Sequence, residues 1–183
     1  MSDHDYVRMA RELSRTRFAE LCPTPFIVFG VVADDWNYEF KTRSFGPAAW
    51  EGKLSAEDRL HSSTLTDLPA IGGDEEDDLG GIMPVRKSSR NPWSDLISVG
   101  RAKTCDLILP SPHVSKLHAH ILPNGGVTFD LVDAGSANGT FRNGVRLRPD
   151  ERMRMRPGDK LRFGWLDTQY LDAGLLYDWI KSR

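Results

Sequence analysis

The 183-residue sequence predicts an all-β domain with a short helix at each end. Three observations carry that prediction. Beyond Pro84, short runs alternate apolar with polar residues, as in Leu117-His118-Ala119-His120-Ile121 and Val127-Thr128-Phe129-Asp130-Leu131. Asn124-Gly125 and Asn143-Gly144 lie between such runs, and a type I′ hairpin turn needs positive φ at both central residues. The runs recur about every 8–12 residues with no helical period between them, the pattern of a β-sandwich or barrel.

The elements follow in order. Residues 1–22 hold an expected amphipathic helix over 3–21, with Tyr6, Val7, Ala10, Leu13, Phe18 and Leu21 at helical spacing and Asp3 as its cap. Pro23 and Pro25 end it. Residues 23–54 hold two expected strands, 26–33 and 36–45, around Ala33-Asp34-Asp35; in the second, Trp36, Tyr38 and Phe40 alternate with polar neighbours. Residues 55–82, through Gly72-Gly73-Asp74-Glu75-Glu76-Asp77-Asp78, lack the apolar content that repays ordering and read as a flexible acidic loop. The β-rich stretch spans 83–172, with runs at 96–99, 107–109, 117–122, 127–132 and 160–163. A closing helix over 173–183 uses Leu175, Leu176, Trp179 and Ile180, capped by Asp172.

Composition removes several classes. A chain this long buries about 70% of its unfolded surface, enough for a core without disulfides or metals. Cys22 and Cys105 make neither a disulfide framework nor a zinc set and read as small apolar residues. No apolar run approaches the ~20 residues of a membrane helix, and the acidic N-terminus carries no secretory pattern, so a cytoplasmic protein is expected. Nucleotide-binding Gly-rich loops and the nucleophile elbow are missing, so neither an enzyme nor a cofactor is expected. The net charge of −2 conceals a division: residues 1–85 carry 8 Lys/Arg against 16 Asp/Glu, and residues 86–183 carry 16 against 10. An anionic partner suits the second half.

The informative polar residues lie in turns. They are Gly100-Arg101, Ser115-Lys116-Leu117-His118, Asp133 to Thr140 with Ser136-Ala137-Asn138-Gly139, and Asn143-Gly144. Loops at one end of a sandwich converge, so separate turns can supply one site. Arg101 offers a planar fork of donors for phosphate or carboxylate, Ser115 a hydroxyl, and Lys116 a mobile point charge. Asn138 can both donate to and accept from an extended backbone. The set suits a tetrahedral anion carried on a polypeptide.

In this order and spacing, Gly-Arg, Ser-x-x-His, Ser-x-Asn-Gly-Thr, Asn-Gly and the late Gly158-Asp159 before a strand ending at Gly164 resemble the forkhead-associated (FHA) domain over about residues 84–172. The resemblance implies a β-sandwich of about eleven strands whose apical loops bind phosphothreonine in a partner protein, placing the chain in Ser/Thr-kinase signalling. It implies that Arg101, Ser115 and Lys116 contact the phosphate and Asn138 the peptide backbone, with Gly100, His118, Gly139 and Asn143 bracing the loops. Family members often carry a hydroxyl or basic residue before the loop Asn; this chain has Ala137. Further peptide contacts are expected from Asn138 and the Pro110–Val114 loop.

Other readings stand beside this one. His113, His118 and His120 lack the carboxylates or thiolates of a zinc site, so no metal is expected and His118 reads as structural. Arg142, Arg146, Arg148, Arg152, Arg154, Arg156 and Arg162 read as a solvated surface, with nucleic-acid binding as the lesser alternative; a phosphorylation-independent scaffold is another. Thr64 and Thr66, in the expected loop, resemble the arrangement of some FHA proteins in which a threonine outside the domain folds back on it once phosphorylated.

Overall fold

The computed structural model describes residues 2–30 and 81–183. The expected strand over 36–45, the acidic loop over 55–80, and Thr64 and Thr66 lie outside the described residues.

The N-terminal helix is two helices, α1 (Asp3–Glu12) and α2 (Arg15–Leu21). Apolar spacing runs through the break, but Leu13 and Ser14 are extended and Ser14 accepts from Arg17 N at 3.3 Å, starting a new helix. Ser2, not Asp3, caps α1, and its N–H donates to Asp5 at 2.8 Å. Asp3 instead accepts from Ile82 N at 3.2 Å, tying the helix to a strand.

Eleven strands follow among the described residues. The first is β1 (Phe26–Phe29), which ends before Gly30. β2 (Gly81–Pro84) begins inside the stretch expected to be acidic loop, because Gly81 to Pro84 pair in register with Phe29 to Phe26. The rest are β3 (Ile97–Gly100), β4 (Leu107–Ile108), β5 (Ala119–Pro123), β6 (Phe129–Asp133), β7 (Thr140–Arg142), β8 (Val145–Arg146), β9 (Met153–Arg154), β10 (Lys160–Phe163) and β11 (Leu166–Leu171). Helix α3 (Ala173–Lys181) closes the chain, and Asp172 caps it as expected, accepting from Leu175 N at 2.8 Å.

The strands form two sheets, ordered β2-β1-β11-β10-β7-β8 and β4-β3-β5-β6-β9. Among the described residues, only the β3–β4 pairing is parallel. Ile27, Val99, Leu109, Ile121, Leu131, Leu161 and Phe163 fill the space between the sheets. A second apolar cluster lies under the helices, where Tyr6, Val7, Ala10, Phe18, Leu176 and Ile180 meet Phe26, Val28, Ile82 and Leu171. Strand periodicity explains the division: Ile27 points to one layer, Phe26 and Val28 to the other, so β1 reads as continuously apolar. β1 is therefore an interior strand of the sandwich, hydrogen-bonded to both β2 and β11.

Turn chemistry sets the hairpin ends. Asn143 and Gly144 have φ of 48° and 82°, as the Asn-Gly pair predicts. In the β5–β6 connection the two positive angles fall one residue later, on Gly125 and Gly126, and Val127 is exposed rather than part of β6.

Candidate functional site

Gly100 brings the first two turns together. An added Cβ would collide with the Lys116 carbonyl, so only glycine lets the end of β3 approach the β4–β5 loop this closely. Arg101 N then donates to Ser115 O at 3.0 Å and Ala102 N to Lys116 O at 3.1 Å. These bonds seat Arg101 beside Ser115 and Lys116. The side chains of Arg101 and Lys116 are exposed, with no hydrogen-bond or ion-pair partner among the described residues.

His118 joins the second turn to the third. Its ring is fully buried, Nδ1 accepts from Ser115 N at 3.0 Å, and Nε2 lies 3.1 Å from Gly139 O. An acceptor at Nδ1 requires the proton on Nε2, which donates to the carbonyl. Ser115 Oγ accepts from Ala137 N at 3.1 Å, leaving its hydroxyl hydrogen for another acceptor. Asn138 is exposed and donates its amide to His113 O at 2.9 Å.

Burial pushes the His118 pKa below its ordinary 6.5, against the Gly139 hydrogen bond and the Asp133 charge; burial lowers His120 likewise. A group with a lowered folded pKa binds fewer protons folded than unfolded, so stability falls as pH drops through the unfolded value. The denaturant midpoint is expected to decline below about pH 6.5, and replacing both histidines by Gln to flatten that part of the profile. Denaturant titrations from pH 7 to pH 5 check this.

Two carboxylates shape these loops; Asp133 opens one of the turn motifs read from the sequence, and Asp106 was not singled out there. Asp133 accepts from Gly135 N and Ser136 N at 3.0 Å each, and from Ser136 Oγ and Thr140 Oγ1 at 2.6 Å each. Burial would raise its pKa, but those donors outweigh burial and lower it. The local Asp-x-Gly-Ser pattern was its only signal, an Asx turn. Asp106 has no local signal at all, because its partners Ser88, Asn91 and Ser98 lie 8–18 residues away.

The structure thus gathers Gly100, Arg101, Ser115, Lys116, His118, Asn138 and Gly139 at one end of the sandwich. Asn143 is elsewhere. β7 separates it from Gly139 by about 10 Å of strand, and it binds Asp159 at 2.8 Å and Lys160 N at 2.9 Å at the opposite end. The arginine run is not one free face: Arg142 pairs with Asp159 at 2.6 Å, Arg154 with Asp130 at 2.8 Å, and Arg162 lies 3.9 Å from the Phe141 ring centre. Among the described residues, no group of three His, Cys, Asp or Glu could hold a metal ion, and no helix is long and apolar enough to cross a membrane. Cys22 and Cys105 are both buried and free. An unforeseen feature is Trp165, exposed in the β10–β11 turn and stacked on His113.

Comparison with known proteins supplies a family. The FHA domain model matches residues 97–164. The chain is 32% identical over 111 residues to the oxoglutarate dehydrogenase inhibitor of Corynebacterium glutamicum, covering 57% of this chain and 74% of that protein. It is 36% identical over 69 residues to the protein phosphatase 1 regulatory inhibitor subunit PPP1R8 homolog of Arabidopsis thaliana, covering 38% of this chain and 19% of that protein. The chain therefore spans about a fifth of the plant relative's length. Among solved structures, the N-terminal FHA domain of Saccharomyces cerevisiae Rad53p in complex with a phosphothreonine peptide is 21% identical with a TM-score of 0.42, covering 53% of this chain and 88% of that one. With three quarters of the bacterial relative matched and the family model seated on the strands and loops just described, the chain belongs to the FHA domain family.

Proposed function

We propose that this chain is a phosphothreonine-dependent protein-interaction module, an adaptor in Ser/Thr-kinase signalling that binds rather than catalyses. The observation that carries the reading is the pair of exposed cations, Arg101 and Lys116, unpartnered among the described residues and held by backbone hydrogen bonds beside the Ser115 hydroxyl. Arg101 presents its fork to two phosphate oxygens, Lys116 adds a point charge, and Ser115 donates its hydroxyl hydrogen. Asn138 has committed its amide to His113 O and offers its carbonyl oxygen to a peptide N–H.

Magnitudes say what else is needed. A hydrogen bond to a charged group contributes about 1.5–3 kcal/mol, so three give on the order of 5–9 kcal/mol before the costs of association. Micromolar affinity corresponds to about 8 kcal/mol. Contacts to the peptide beyond the phosphate must therefore contribute. Calorimetric titration with one peptide in phosphothreonine, phosphoserine and unphosphorylated forms tests the reading. Binding confined to the phosphothreonine form is expected, and equal affinity for all three overturns it.

A further inference from the structure

We propose that the groove between Trp93 and His120, on the outer face of the second sheet, receives an arginine side chain of a protein partner. The proposal goes beyond phosphothreonine binding and does not depend on it.

The sheet builds the groove. On β5, Ala119 and Ile121 point into the core, so His120 between them points outward. Ser98 and Val132 flank it in register on β3 and β6. Ser98 also anchors the loop that carries Trp93. Buried Asn91 donates Nδ2 to Ser98 Oγ at 2.9 Å, and its Oδ1 accepts from Trp93 N at 2.9 Å. The Trp93 and His120 rings then stand at 89° to each other, 6.2 Å apart between centres. Pro92, Ser94, Asp95 and Leu96 complete the wall of an open groove of about 430 Å³. It lies apart from the gathered loops: Leu96 precedes β3 and Gly100 ends it, a separation of about 13 Å along the strand.

Its chemistry selects a cation. Trp93 is 52% exposed, and an indole face attracts a positive charge within about 6 Å. His120 adds a second ring face at right angles. Burial lowers its pKa, so the ring is uncharged at neutral pH and repels no cation. Its Nδ1 is buried without a hydrogen-bond partner among the described residues, which leaves that nitrogen uncommitted. Asp95 is exposed, accepts from Ser94 Oγ at 2.8 Å, and forms no ion pair among the described residues. Arg90, the nearest cation in sequence, is turned toward Ser88 Oγ at 3.4 Å and Asp106 O at 3.3 Å.

An aromatic corner beside a carboxylate that lacks a counter-ion matches a guanidinium, which stacks on the rings and pairs with the acid. The groove is walled by one loop and one strand and is open elsewhere. A site for a free small molecule encloses most of its ligand. A side chain arriving on a polypeptide suits the open shape better.

The test is an NMR titration of the isotope-labelled full chain, read at the Trp93 indole N–H and the His120 backbone N–H. The probes are the unphosphorylated peptide Gly-Ser-Arg-Ser-Gly and the same peptide with citrulline for arginine, which keeps the shape and removes the charge. The arginine peptide is expected to bind in the millimolar range, about fivefold tighter than the citrulline peptide, as an exposed cation–π contact with an exposed ion pair would give. Trp93→Ala and Asp95→Asn should each reduce that preference about twofold, and the double variant should erase it. Both side chains are exposed, so unchanged thermal melts will show that the variants are folded. A phosphothreonine peptide added together with the arginine peptide should leave the arginine shifts in place. Displacement by it would put the arginine peptide in the gathered loops and overturn the groove. Equal affinity for citrulline, equal affinity for a phenylalanine peptide, or no saturable shift by about 10 mM also overturns it. So does a Trp93 indole that shifts on dilution of the chain alone, since a second copy would then be the occupant.

Discussion

Arg101→Ala is expected to reduce phosphothreonine-peptide affinity by more than about a hundredfold, with no change in thermal stability. A guanidinium on phosphate makes two parallel charge-assisted hydrogen bonds, together about 3–6 kcal/mol, and each 1.4 kcal/mol is a factor of ten. Stability is spared because the guanidinium is exposed and has no partner among the described residues, so its removal leaves nothing unsatisfied. The backbone N–H of Arg101, which does bind Ser115 O, survives the substitution. Arg101→Lys should recover part of the affinity, because lysine restores the charge but not the fork. Arg152→Ala, on an exposed residue distant in sequence from the gathered loops, should leave affinity unchanged. Titration of the three variants with one phosphothreonine peptide decides the matter. Affinity of Arg101→Ala within about threefold of the parent, less than a single such bond is worth, would remove Arg101 from the site.

What was legible in the sequence was whatever depends on neighbours a few residues away. Asp172 caps α3 through Leu175, three residues on, and Asn143-Gly144 makes its turn with its own two φ angles. The break at Leu13-Ser14 was hidden because apolar spacing continues across it, while a single serine capping bond decides it. The β5–β6 turn shifted by one residue because a second glycine, Gly126, lets both positive angles move past Asn124. β2 was illegible for another reason. Gly81-Ile82-Met83-Pro84 has little strand character, and its partner β1 is more than fifty residues away. Of the candidate site, the side-chain types could be read and a convergence of turns was expected, but not the contacts that bring it about. Arg101 meets Ser115 only through the close approach at Gly100, and Asn143, in the same run of motifs, is turned to the far end by β7. The same limit concealed Asp106, whose partners are gathered entirely by the fold.

Asp106→Ala is expected to cost about 3–5 kcal/mol, the range for stripping one partner from a buried charged network. Its side chain is completely buried and accepts from Ser88 N at 2.7 Å, Ser88 Oγ at 2.8 Å, Asn91 Nδ2 at 2.6 Å, Ser98 N at 2.8 Å and Ser98 Oγ at 2.9 Å, with Lys87 Nζ at 3.3 Å. Alanine would leave the buried Ser98 and Asn91 donors facing a cavity. For a chain this size the loss amounts to a fall in melting temperature of about 10 °C. Asp106→Asn keeps the shape but turns an N–H₂ toward groups that already donate, so it should not rescue stability. Burial alone would raise the Asp106 pKa, but the surrounding donors outweigh it and hold the carboxyl well below the usual carboxylate range. A lowered folded pKa gives stability that is present above the unfolded value of 3.8 and is lost as pH falls below it. The parent chain should therefore lose stability more steeply below about pH 4 than Asp106→Asn does. Asp133 and Asp159 are lowered in the same direction and supply the slope that remains. Asp106 closes the loop that carries Arg101, so its variants should also bind phosphopeptide more weakly, in proportion to their loss of stability. Arg101→Ala should lose binding and keep stability. Measuring melting temperature and affinity on both variants separates the residue proposed to touch the phosphate from the one that holds its loop, and an Asp106→Ala chain as stable as the parent would contradict the network's role.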